Sequence, residues 1–159
     1  MPEEIERRFL VRNLPDNLRR YNHCDIDQGY FLCPNWPEIE QRLRRKEDKY
    51  YFTTKTFLDG KRNETEIEIP ESTFLLMWKD TEGRRIEKVR YDVPLNRNKV
   101  EVNIYCGQEL EGLVVAEIEF RTQGERDAFV PPEWLGKEVS EDQRYNNYML
   151  ATQGFPILM

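Results

Sequence analysis

Charged residues spaced two apart, in five stretches that otherwise read as β-strands, constrain this chain more than any other feature. In EEIERRFLV, Glu4, Glu6 and Arg8 alternate with Ile5, Arg7 and Phe9. The period of two in a strand puts the first three on one face. The same spacing returns at Arg42/Arg44, Glu64/Glu66/Glu68, Lys88/Arg90 and Glu117/Glu119. The apolar side chains fall mostly on the other phase: Ile5 and Phe9, Ile67 and Ile69, and Val114, Ala116, Ile118 and Phe120. A small barrel normally fills its interior with apolar groups. Here the apolar phase must look outward, under covering helices, while the charges line the interior. The expected fold is α+β, mainly β: an eight-stranded antiparallel closed tunnel barrel with a charged lumen and helices packed outside. Such an interior needs a highly charged ligand.

The 159 residues point to one domain spanning 1–159. A net charge of −6 argues against nonspecific nucleic-acid binding, which needs a cationic footprint. Residues 42–62 are nevertheless rich in Lys and Arg, which reads as an anion pocket within an acidic protein. Three cysteines without paired spacing favour reduced thiols and a cytoplasmic location. The single histidine, His23, makes a Cys/His zinc site improbable. Neither a leader-like apolar run nor a membrane-length segment is visible, so no membrane partner is expected.

Strands are expected over residues 3–11, 24–32, 38–45, 50–57, 62–69, 84–93, 100–105 and 113–121, with an Asp59-Gly60 hairpin turn. A short helix or turn is expected at 14–21, and helices at 71–79 and 124–130. Ser140 and Gln143 form a capping-box pattern that predicts a helix over 141–152. The chain shows no Gly-rich phosphate loop, and with His23 alone it has no Ser/His/Asp set.

A solvated face with cross-strand ion pairs would give Glu4/Glu6/Arg8 the same spacing. Glu117 and Glu119 weigh against that reading, because they sit in LVVAEIEF, the most apolar strand. Two carboxylates on one face repel unless a cation neutralises them, and carboxylate oxygens suit Mg²⁺ or Mn²⁺. Glu4, Glu6, Glu117 and Glu119 are therefore the expected metal ligands. Arg42, Arg44, Lys55, Lys88 and Arg90 present phosphate-binding chemistry: forked guanidinium donors and compact ammonium charges. Glu64, Glu66 and Glu68 fit a structural role, pairing with these bases across the sheet, at least as well as a catalytic one.

These residues resemble the CYTH superfamily, the triphosphate tunnel metalloenzymes. Glu4-Ile5-Glu6-Arg7-Arg8-Phe9 is similar to the Glu-x-Glu-x-Lys signature. The resemblance continues in order through Gln28-Gly29-Tyr30, Arg42-x-Arg44, Thr54-Lys55, Arg62-x-Glu64-x-Glu66, Glu87-Lys88-x-Arg90-Tyr91, Glu111-Gly112-Leu113, Ala116-Glu117-Ile118-Glu119 and Asp142-x-Arg144-Tyr145. It implies a tunnel that binds triphosphates with two divalent metals. Glu4, Glu6, Glu117 and Glu119 match the metal acids. Arg42, Arg44, Lys55, Lys88 and Arg90 match the phosphate-binding bases, and Arg144 matches a base near the tunnel mouth. Arg8 stands where the signature has Lys, and Asn103 where many relatives have Asp, so Asn103 is left out of the expected ligands.

The expected activity is metal-dependent hydrolysis of inorganic tripolyphosphate to pyrophosphate and phosphate by a monomer or homodimer. Arg8, Arg42, Arg44, Lys55, Lys88, Arg90 and Arg144 are the expected substrate-binding residues. Lys55 and Arg90 would act on the transferring phosphoryl group, and Glu66 or a metal-bound hydroxide would be the base. A class IV adenylate cyclase, a thiamine triphosphatase and a noncatalytic polyphosphate- or nucleotide-binding module are the alternatives.

Overall fold

The structure, a computed structural model, describes residues 5–156, so Glu4 of the opening signature lies outside the described residues. Nine strands are present among them: β1 (Glu6–Val11), β2 (His23–Tyr30), β3 (Ile39–Lys46), β4 (Lys49–Leu58), β5 (Lys61–Ile69), β6 (Arg85–Leu95), β7 (Asn98–Cys106), β8 (Val114–Glu119) and β9 (Leu135–Glu138). Helix α1 (Glu71–Trp78) follows β5, α2 (Gln123–Ala128) follows β8, and α3 (Asn147–Gln153) follows β9. The strands form one antiparallel sheet in the order β5-β4-β3-β2-β6-β7-β8-β1-β9. Asp59 and Gly60 turn β4 into β5 with φ of 52° and 72°, the left-handed pair a tight hairpin requires. No helix among the described residues is long and apolar enough to cross a membrane.

The sheet corrects the expectation of a closed, eight-stranded barrel. Its edges are β5 and β9, and they do not pair with each other. The reason is that β1 has no free edge: β8 occupies one side and β9 the other. Gly136 permits this second pairing, because a Cβ there would lie 2.9 Å from the Leu10 carbonyl oxygen. Beyond β9, the Val139 amide donates to the Arg8 carbonyl at 2.8 Å, and Ser140 Oγ accepts from the Arg8 amide at 2.9 Å.

The outer face of β1 and β6–β8 is apolar, as the alternation predicts. Phe9, Val93, Val100, Val102, Ala116, Ile118 and Phe120 are buried there, with Leu135, Phe129 and Trp134 packed against them. A second core corrects the expectation that every helix packs outside. Tyr30, Ile86, Tyr105 and Val115 share the inner phase with the charges, and they bury Tyr145, Leu150 and Ala151. Helix α3 therefore plugs the inner face at one end, because the inner columns of β6, β7 and β8 change there from charged or polar to Ile86, Tyr105 and Val115, beside Tyr30 of β2. Burying a side chain such as Leu150 contributes about 1.5–3 kcal/mol.

The helix expected over 141–152 is shorter and capped elsewhere. Ser140 is held by Arg8, and a 3₁₀ turn spans Gln143–Tyr145. The Asn146 side chain instead accepts from the Met149 amide at 2.7 Å and starts α3. The expected helix or turn at 14–21 is reduced to a 3₁₀ turn at Leu18–Arg20.

Candidate active site

The curved inner face encloses a cavity of about 390 Å³, to which every strand from β1 to β8 contributes a side chain. Its lining carries six carboxylates and six cations, and the signs are partly segregated. Strands β7, β8 and β1 form an acidic wall. Glu6 lies directly opposite Glu119, and Glu101 directly opposite Glu117. Facing like charges destabilise a sheet, and arginines offset them here. Arg8 reaches Glu6 at 3.4 Å and Glu117 at 3.9 Å, while Arg90 binds Glu101 at 2.8 Å.

Strands β3, β4 and β5 form a basic wall of Arg42, Arg44, Lys55 and Arg62. Glu40, Lys55 and Glu64 stand in one cross-strand row. Their ion pairs are loose, at 3.9 Å for Lys55–Glu40 and for Arg42–Glu64. Arg44 has no ion-pair partner at all among the described residues; its Nε donates to Gln28 Oε1 at 3.0 Å. Burial, reinforced by Arg42 and Arg90, pushes the Arg44 guanidinium down to about 10. Burial and Arg42 likewise lower Lys55. A wall whose cations depress one another's proton affinity is short of negative charge. An anion entering the cavity would supply it.

The chain is similar along most of its length to proteins of known name. The chain is 40% identical over 149 residues to the inorganic triphosphatase of Nitrosomonas europaea, covering 93% of this chain and 96% of that one. It is 36% identical over 155 residues to the inorganic triphosphatase of Acetivibrio thermocellus, covering 95% and 94%. The crystal structure of the inorganic triphosphatase NE1496 matches with a TM-score of 0.78 at 39% identity, over 96% of each chain. The chain belongs to the CYTH superfamily of triphosphate tunnel metalloenzymes. No protein-family profile matches it.

In this CYTH member, Glu6, Arg8, Arg42, Arg44, Lys55, Arg90, Glu117 and Glu119 line one cavity. Lys88 is on the same face but beneath the lining. It is 1% exposed, its Nζ has no hydrogen-bond partner among the described residues, and it sits 5.7 Å from the Tyr105 ring centroid. Burial, reinforced by Arg90 and opposed by Glu117, pushes its ammonium down to about 7.

Two expected residues are elsewhere. Glu66 is exposed and accepts from Thr53 Oγ1 at 2.8 Å without reaching the lining. It lies near the sheet's open edge, where no closing strand turns it inward. Arg144 is half-exposed and held by Asp142 at 2.7 Å, outside the cavity. Asn103 is a fully buried link, accepting from Arg90 Nε and donating to the Glu101 and Val115 carbonyls.

Glu40 and Glu101 line the cavity without having been expected there, and Arg62, within the basic 42–62 stretch, lines it without having been named as a ligand. Glu40, Arg62 and Glu101 continue an alternation already visible, with Arg42, Glu64 and Asn103 respectively. Tyr30 and the polar edge of α3, Asn146, Asn147 and Tyr148, were likewise not expected there. No local signal marks that edge, because it depends on α3 packing inward.

Proposed function

We propose that this chain hydrolyses the terminal phosphoanhydride bond of a linear triphosphate, with inorganic tripolyphosphate as substrate and pyrophosphate and phosphate as products. The observation that carries the reading is the pairing of an acidic and a basic wall across one cavity. Triphosphatases 40% and 36% identical over most of the chain support it.

The donor set of the acidic wall fits a divalent cation. Its oxygens are hard carboxylate ligands, the chemistry Mg²⁺ and Mn²⁺ prefer. Its two directly facing carboxylate pairs leave negative charge that Arg8 and Arg90 only partly offset. The described residues contain no ready-made cluster of three acids, so the ligands would converge on the ion, together with Glu4 outside the described residues. Glu6, Glu117 and Glu119 would hold Mg²⁺ or Mn²⁺, and the two facing pairs support two ions. When bound, such an ion neutralises phosphate oxygens and lowers the pKa of a bound water.

The protein's own groups bind and orient. Arg42 and Arg44 offer forked donors to phosphate oxygens. Lys55 and Arg90 stabilise the negative charge that grows as water attacks the terminal phosphorus and the bridging P–O bond breaks. Arg8 bridges Glu6 and Glu117 within the acidic wall, and would be released toward phosphate once those acids hold metal. Glu66 is not assigned the proton of the attacking water, because Thr53 holds its carboxylate away from the lining.

The test is direct. Purified protein incubated with tripolyphosphate and Mg²⁺ or Mn²⁺ is expected to release phosphate and pyrophosphate in equal amounts, and excess EDTA is expected to stop release. Cyclic AMP from ATP, or tight binding of tripolyphosphate without phosphate release, would displace this reading.

A further inference from the structure

Two buried amides in the wall of the cavity have a common geometry. Gln28 on β2 and Asn103 on β7 are each 0% exposed. Gln28 Oε1 accepts from Arg44 Nε at 3.0 Å, and Asn103 Oδ1 accepts from Arg90 Nε at 3.1 Å. Each amide is anchored in turn. Gln28 Nε2 donates to the Tyr30 hydroxyl at 3.1 Å, and Asn103 Nδ2 donates to the Val115 carbonyl at 3.1 Å and the Glu101 carbonyl at 3.3 Å. Both arginines line the cavity.

We infer that Gln28 and Asn103 are positioning residues that grip these arginines by Nε, and that the neutral Gln28 leaves the terminal nitrogens and the full charge of Arg44 to the ligand, whereas Arg90 also meets Glu101 at 2.8 Å. The inference rests on the triphosphate reading of the site and adds its specificity device. An arginine has five N–H donors, and the Nε–H is the one whose capture fixes the plane of the guanidinium. A carboxylate in the same place would fix the plane equally well and make a stronger bond. It would also cancel the charge that draws the anion. The outer sheet surface shows the contrast. There Arg7 and Arg45 are held through Nε by carboxylates, Glu138 and Asp27, at 2.9 and 2.8 Å. Facing the cavity, the Nε acceptors of Arg44 and Arg90 are amides. Burial, Arg42 and Arg90 already lower the proton affinity of Arg44, so its charge is sensitive to what stands beside it.

Gln28→Glu separates aim from charge. The glutamate keeps the Nε acceptor, and the Tyr30 hydroxyl can reverse its bond and donate to it. If Gln28 only braces the fold, this variant preserves both stability and affinity. If its neutrality matters, stability and affinity part company. The unfolding midpoint is held or raised, while calorimetric titration of the full-length, metal-free chain with tripolyphosphate shows affinity weakened about tenfold or more. Gln28→Met removes the acceptor without adding charge, and both midpoint and affinity should fall. Wild-type affinity in Gln28→Glu overturns the inference and leaves the hydrolase reading standing. Absence of tripolyphosphate binding by the unmodified chain, with Mg²⁺ as well as without it, overturns both. Should the glutamate variant not fold, Gln28→Met decides: weaker binding by folded protein supports the inference, and unchanged binding ends it.

Discussion

Replacing Glu117 and Glu119 together by glutamine is expected to reduce metal-dependent hydrolysis of tripolyphosphate by about 10³-fold or more, the scale of losing transition-state charge stabilisation of roughly 4 kcal/mol. The substitution removes one carboxylate from each facing pair, Glu6/Glu119 and Glu101/Glu117, while retaining side-chain shape. A neutral amide oxygen remains a possible ligand, but the negative charge that concentrates a divalent cation is gone. The fold should survive. The outer core behind this wall, Val100, Val102, Ala116 and Ile118, is 0% exposed and untouched. Relief of like-charge repulsion across β1, β7 and β8 offsets the loss of the loose Arg8–Glu117 contact at 3.9 Å. The measurement is phosphate release against Mg²⁺ or Mn²⁺ concentration, paired with thermal unfolding. Turnover near wild type at ordinary metal concentrations would take the metal away from these acids.

The charged lining was legible because a strand's alternation survives curvature. Once Glu117 and Glu119 were placed on one phase of an apolar strand, their facing inward followed from the cost of exposing Val114, Ala116, Ile118 and Phe120. The same logic reached Arg42, Arg44, Lys88 and Arg90. Closure was not legible. It depends on whether β1 keeps a free edge, and that edge is taken by Leu-Gly-Lys-Glu at 135–138, four residues with a glycine and no alternation. The capping-box pattern at Ser140 failed for a similar reason. A serine that can cap a helix can equally accept from the Arg8 amide, and the tertiary bond prevailed. Arg144 followed Asp142 two residues away, a local pair that no motif distinguishes from a ligand contact. Asn103 looked like a departure from the family acid; its three hydrogen bonds give it a different task.

Replacing Lys88 by methionine is expected to stabilise the protein at neutral and mildly acidic pH, by a few kcal/mol, and to leave it little changed near pH 10. Lys88 is buried with no hydrogen-bond partner for its ammonium among the described residues, and its pKa falls from 10.5 to about 7. The folded pKa is below the unfolded one, so between about 7 and 10.5 the unfolded chain binds more protons. Stability therefore rises with pH across that window and is lost as pH falls toward 7. Methionine removes the titration while filling similar volume, so the stability difference between variant and wild type should shrink steadily as pH increases. A triphosphate arriving above Lys88 adds the negative charge the ammonium lacks and raises its pKa again. Binding at pH 8 should therefore take up a proton, which appears as a dependence of the calorimetric heat on the buffer's ionisation enthalpy and disappears in Lys88→Met. A pH-independent stability difference, or identical proton uptake in both proteins, would mean that Lys88 keeps its charge throughout. In that case another group, not a neutral lysine beneath the lining, would set how strongly the empty cavity demands an anion.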